Sequence, residues 1–145
     1  MRKIKYIAIH NNGYAGKTID NIRRSHVKGN GWSDIGYHWV LHENGAWLKG
    51  RPEHRAGAGI EGLNKHALHM CVVGNFNKTE MSITQSTALF FKLLELQTAH
   101  PDARIIGHRE GNEYLPKRLR TRKSCPGKLV NMDVIRNTVA EAMRA

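Results

Sequence analysis

The sequence predicts an α/β fold, a single domain with a central mixed β-sheet flanked by helices. Three observations carry that expectation. Short apolar runs of strand character alternate with stretches of helical periodicity, a pattern that builds a sheet covered by helices. The Asn44-Gly45 pair is a strong turn signal, and it adds one hairpin to a sheet otherwise fed by crossovers. At 145 residues the chain has the length of one domain, 1–145, with enough material for a real core.

The first strand spans residues 3–10 and stops at the Asn11-Asn12-Gly13 turn. Thr18 caps a helix over residues 19–28, with Ile19, Ile22 and Val27 inside and Gly29 ending it. Residues 37–43 and 46–49 form the hairpin arms. Alternation sets Tyr37, Trp39 and Leu41 on one face and His38, Val40 and His42 on the other. Residues 51–66 are irregular, and 68–75 read as a buried strand. Ser82 and Gln85 make a capping box for a helix to about residue 100, which Pro101 ends; Ala88, Leu89, Leu93 and Leu96 form its stripe. A short strand covers 104–107, a basic loop covers 112–122, and a last helix covers 133–144. That helix buries Ile135, Val139, Ala142 and Met143 at helical spacing.

Composition narrows the function classes. Hydrophobic residues at 40% and charged residues at 24% suit a soluble globular chain. No apolar stretch approaches the ~20 residues of a membrane span, so no membrane insertion is expected. The basic start, Met1 to Lys5, is followed by only four apolar residues, too few for a signal-peptide core. Synthesis in the cytoplasm without a signal is the expectation, with any outside action following release. Cys71 and Cys125 are expected to stay thiols there, with a Cys71–Cys125 bridge as the alternative. The formal charge of +11 attracts polyanions, among them nucleic acid, anionic cell wall and anionic lipid. The basic residues are scattered and no nucleic-acid motif accompanies them, so no nucleic-acid partner is expected. Nothing demands more than a monomer.

The chemistry centres on His10, His108 and Cys125. Both histidines close apolar strand-like runs, and in α/β sheets sites gather at strand ends. Cys125 sits in the tight segment Lys123-Ser124-Cys125-Pro126-Gly127, where Lys123 is expected to favour thiolate. Two imidazoles and a thiolate with an open fourth position are one ligand set used by zinc enzymes to activate water. A loop cysteine or a Cys–His nucleophile shares the same local features, although a nucleophile needs only one of the two histidines. His26, His42, His66, His69 and His100 have no supporting context and read as surface or packing residues. His54 lies in the irregular segment and is a candidate to line a cleft.

Seven segments, in order, resemble the zinc-dependent N-acetylmuramoyl-L-alanine amidases of the type 2 family, which include short phage endolysins and the peptidoglycan recognition proteins. They are Ile7-Ala8-Ile9-His10, the run from Gly31 through Gly36-Tyr37-His38 to Val40, Asn44-Gly45, Gly50-Arg51-Pro52, Val72-Val73-Gly74-Asn75-Phe76, Ile106-Gly107-His108-Arg109 and Lys123-Ser124-Cys125-Pro126-Gly127. The resemblance implies that fold, a single catalytic domain without a wall-binding module, and one zinc per chain on His10, His108 and Cys125. It puts Tyr37 and Lys123 on the catalytic tyrosine and lysine positions and makes peptidoglycan the substrate. It implies hydrolysis of the amide between N-acetylmuramic acid and L-alanine by a phage or prophage endolysin. A binding-only recognition domain is the alternative.

Elementary chemistry agrees with those roles. A lysine cation suits an oxyanion, and a tyrosine hydroxyl suits a water or a moving proton. Three departures stand out. Gly57-Ala58-Gly59 leaves to glycine a place where many relatives have histidine, with His54 as a candidate replacement. Asn11 stands where many relatives carry His, Cys or Ser. The basic loop is longer than in compact members. Asn11, His54 and Arg109 are the substrate-contact candidates.

Overall fold

The computed structural model describes residues 2–145. Five strands form one sheet: β1 (Tyr6–Asn11), β2 (Trp39–Leu41), β3 (Trp47–Lys49), β4 (Ala67–Val72) and β5 (Arg104–Gly107). Their spatial order is β3-β2-β4-β1-β5. β1 runs parallel to β4 and β5, and β2 runs parallel to β4. β3 is antiparallel to β2 across the Asn44-Gly45 hairpin, so the sheet is mixed as expected. β1 and β4 are nearly continuous apolar runs because a central parallel strand is covered on both faces.

Alternation divides the sheet into two faces. Ile7, Ile9, Leu41, Leu68 and Met70 pack with Leu89, Leu93, Leu96 and Val139 of the helices α2 (Ile83–Ala99) and α3 (Met132–Arg144). On the opposite face, Ile19 and Ile22 of α1 (Ile19–Arg24) pack with Ile35, Val40, Cys71 and Val73. That face also carries His10 and His69, whose rings meet there.

Several boundaries differ from the sequence expectation. α1 stops at Arg24 and the chain widens into a π-helical turn over Ser25–Gly29, closed by the Asn30 N–H on the Ser25 carbonyl at 3.1 Å. Val27 consequently faces outward instead of into the core. β2 begins only at Trp39, so strict alternation does not reach back to Tyr37. The Tyr37 ring joins the Ile35, Val40 and Cys71 cluster, opposite Trp39 and Leu41, and His38 is buried on that same side against His69. The Ser82 hydroxyl caps α2 by accepting from the Gln85 N–H at 3.1 Å. The Gln85 amide instead donates to the Val73 carbonyl at 3.0 Å, tying the helix to the end of β4. β4 ends at Val72, earlier than expected. The segment read as a basic loop, 112–122, takes in the end of a 3-10 turn over His108–Tyr114 and a second one at Lys117–Leu119. In α3, Met132 and Val139 are buried while Met143, in the last turn, is exposed.

Candidate metal centre

His10 is the fifth residue of β1, and His108 follows directly on β5. Adjacent parallel strands thus carry both imidazoles to one end of the sheet. Cys125 arrives from a loop that the structure holds firmly. The Arg109 N–H donates to the Cys125 carbonyl at 2.8 Å. The Arg109 guanidinium donates to the carbonyls of Ser124, Gly127 and Val130 at 3.0, 2.8 and 2.7 Å. Gly127 has φ +132°, and a Cβ there would stand 2.6 Å from Phe76 Cβ, so the loop closes only with glycine at that position. Arg109, a candidate substrate contact from the sequence, is engaged in bracing this loop.

The donor atoms of His10, His108 and Cys125 lie within 4.8 Å of one another, a group that could hold a metal ion. His10 Nδ1 is 4.0 Å from Cys125 Sγ. Two ring nitrogens and a sulfur suit a borderline-soft ion and not a hard, oxygen-seeking one. Burial holds His10 well below the ordinary histidine range, and the neighbouring His69 and His108 add to this. His108 is lowered by burial and then by Lys123. Both rings are therefore neutral at neutral pH, with lone pairs to offer.

The expected thiolate does not form from the protein's own charges. Burial pushes the Cys125 thiol up, and the Asn11 N–H, Arg109 and Lys123 offset only part of that. A metal would itself displace the thiol proton.

The Tyr37 ring lies 5.2 Å from the His10 ring. Burial, then the Cys71 and Cys125 thiols, push its phenol well above the ordinary tyrosine range, so it stays protonated. Tyr37, His108 and Cys125 line a cleft of about 1110 Å³ together with Asn11, His26 and Lys123, while His10 lies buried behind that lining. Lys17, Arg122 and Lys128 bring its cations to four with Lys123, and no acidic side chain is among the described lining residues. His54 is exposed and lies outside the lining.

Three histidines read from the sequence as packing, surface or wrong-face residues belong to this region. His26 reaches the cleft from the π-helical turn, with its ring 5.3 Å from that of Tyr37. His69 Nδ1 lies 2.9 Å from His10 Nε2. His38 Nδ1 accepts from the His69 N–H at 3.0 Å while its Nε2 donates to the Arg55 carbonyl at 2.8 Å. A usable signal existed for His69: a polar residue inside the buried strand Ala67–Val72 requires a partner.

A mixed α/β sheet that brings a His/His/Cys group able to hold a metal ion to one strand end marks a class of small α/β proteins with a candidate metal site. The chain belongs to the N-acetylmuramoyl-L-alanine amidase family, whose profile matches residues 1–128. The endolysin of Enterobacteria phage K11 is 32% identical over 97 residues, which is 63% of this chain and 64% of that protein. The N-acetylmuramoyl-L-alanine amidase of Homo sapiens is 30% identical over 111 residues, 74% of this chain and 18% of that protein. These alignments span less than two thirds of either relative's length. The solved amidase LysC from Clostridium intestinale URNW superposes with a TM-score of 0.83 at 27% identity, covering 96% of this chain and 87% of that one.

Proposed function

We propose that this chain is a zinc-dependent peptidoglycan amidase of the endolysin type, hydrolysing the amide between N-acetylmuramic acid and the L-alanine of the stem peptide. The observation that carries the proposal is the convergence of the His10, His108 and Cys125 donor atoms at the wall of a cleft that His108 and Cys125 line together with Tyr37 and Lys123. The 4.0 Å between His10 Nδ1 and Cys125 Sγ compares with about 3.6 Å for nitrogen and sulfur donors on one tetrahedral zinc. Zinc held by these three residues would supply a Lewis acid that polarises the scissile carbonyl and lowers the pKa of a water to about 7.

The protein groups account for the rest. The four cations of the cleft favour a stem peptide bearing free carboxylates. Lys123 Nζ stabilises the oxyanion that develops on the carbonyl oxygen. Tyr37, a neutral phenol, orients the attacking water through its hydroxyl and hands a proton to the departing L-alanine nitrogen, while its own is replaced from that water. Hydroxide ends on the lactyl carbonyl and hydrogen on the amine, which gives a carboxylic acid and a free amino terminus. A binding-only domain would not need Tyr37 and Lys123 together with a complete donor set.

The test is turbidity loss of outer-membrane-permeabilised Gram-negative cells, with a chelator and with re-added zinc, followed by mass spectrometry of the digest. The expected result is zinc-dependent lysis that releases stem peptides beginning with alanine. New reducing sugar ends, or no lysis with zinc present, would overturn the proposal.

A further inference from the structure

We infer that His69 is a positioning residue for His10, and that with Asn64 it fixes the proton of the His10 ring on Nε2 so that Nδ1 is left free for a metal. The inference rests on the ligand set proposed above, and its logic runs inward from the backbone. Asn64 Oδ1 accepts from the N–H groups of Gly59 at 3.1 Å and Ile60 at 2.9 Å. Both partners are obligate donors, so the Asn64 atom facing them is the oxygen. The same oxygen lies 2.8 Å from His69 Nε2, which must therefore carry a proton.

A neutral imidazole has one donor and one acceptor nitrogen. His69 is fully buried and its ring nitrogens face only Asn64 and His10, neither of them an acid, so with Nε2 protonated its Nδ1 is the acceptor. That nitrogen is 2.9 Å from His10 Nε2, which in turn must be the donor. The unprotonated nitrogen of His10 is then Nδ1, the atom 4.0 Å from Cys125 Sγ. Two backbone amides thus select the ligating tautomer through two side chains before any ion binds.

Space at the relay is reserved by glycine. A Cβ on Gly59 would stand 2.4 Å from His69 Nδ1, and one on Gly57 would stand 2.9 Å from His69 Cδ2. A side chain at position 59 and the His69 ring exclude each other. Glycine at position 59 is therefore what admits the β4 imidazole beside His10.

The test has two readouts that need no turnover. In metal-free protein with ¹⁵N-labelled histidine, long-range ¹H–¹⁵N spectra are expected to show His10 and His69 both protonated on Nε2. A His10 ring protonated on Nδ1 would overturn the inference, and this measurement needs no substitution. Competition with a chromophoric chelator gives the zinc affinity. His69→Phe and Asn64→Leu are expected to weaken it about 10- to 100-fold, as loss of a ligand's hydrogen-bond partner does elsewhere. Asn64→Asp, which keeps the acceptor, is expected to stay within a few-fold of the parent. Unchanged affinity in folded His69→Phe would sink the relay. Failure of the parent protein to bind zinc would instead sink the ligand assignment, and the tautomer spectrum would still decide the relay.

Discussion

Replacing Arg109 with methionine separates the role suggested by its place beside His108 from the one its contacts define. Its guanidinium donates to three carbonyls of the segment that carries Cys125. Hydrogen bonds from a charged donor are worth about 1.5–3 kcal/mol each. The three share one half-buried cation and water replaces part of the loss, so we expect a net destabilisation of about 2–4 kcal/mol. In a chain of this size that corresponds to a melting temperature lower by roughly 5–15 °C. If about 2 kcal/mol of the loss falls on ordering the Cys125 loop, zinc binding weakens about 30-fold. Thermal unfolding of the metal-free protein and chelator competition read the two effects separately. Parental stability and zinc affinity combined with a raised KM would show that Arg109 contacts substrate, and the bracing role would be wrong.

Three further outcomes follow from the site. His10→Ala, His108→Ala and Cys125→Ala should each abolish stoichiometric zinc, checked by metal analysis after dialysis; full metal content in any one removes that residue from the ligand set. Tyr37→Phe and Lys123→Ala should keep zinc while turnover falls about 10²- to 10³-fold, the scale of losing one transition-state donor; parental turnover in either would return that residue to packing or to solvent. The metal-free protein should lose stability in mild acid. His10, His38 and His69 are held below the ordinary histidine value, chiefly by burial, so the unfolded chain binds more protons and stability rises with pH. Their contribution is complete above about pH 6.5 and is lost as pH falls from there toward the folded values, by up to about 1.4 kcal/mol per pH unit for each ring. Urea unfolding from pH 7.5 to pH 5 measures this, and a flat free energy across that window would refute it.

Much of this protein is determined locally and is therefore legible in its sequence. The strands at Tyr6–Asn11 and Arg104–Gly107 are continuous apolar runs ended by polar residues, and that pattern alone puts His10 and His108 at strand ends. The Asn44-Gly45 hairpin and the Ser82 cap depend on a few neighbouring residues and fall where the sequence puts them. Cys125 was legible because its flanks build a turn.

Other features depend on partners distant in the chain, and only the tertiary structure decides them. The role of Arg109 is set by carbonyls 15 to 21 residues away, and that of His69 by His10 across 59 residues. The face taken by Tyr37 follows from where β2 starts, because alternation holds only inside a paired strand. The protonation of Cys125 was misjudged for a related reason. A lysine two residues away is visible in sequence, whereas burial is a property of the whole fold and here outweighs it. The sequence by itself pointed to the three residues that could hold a metal; the packed sheet decided which nitrogen of His10 is free to do so, because that depends on a chain of hydrogen bonds closed only by folding.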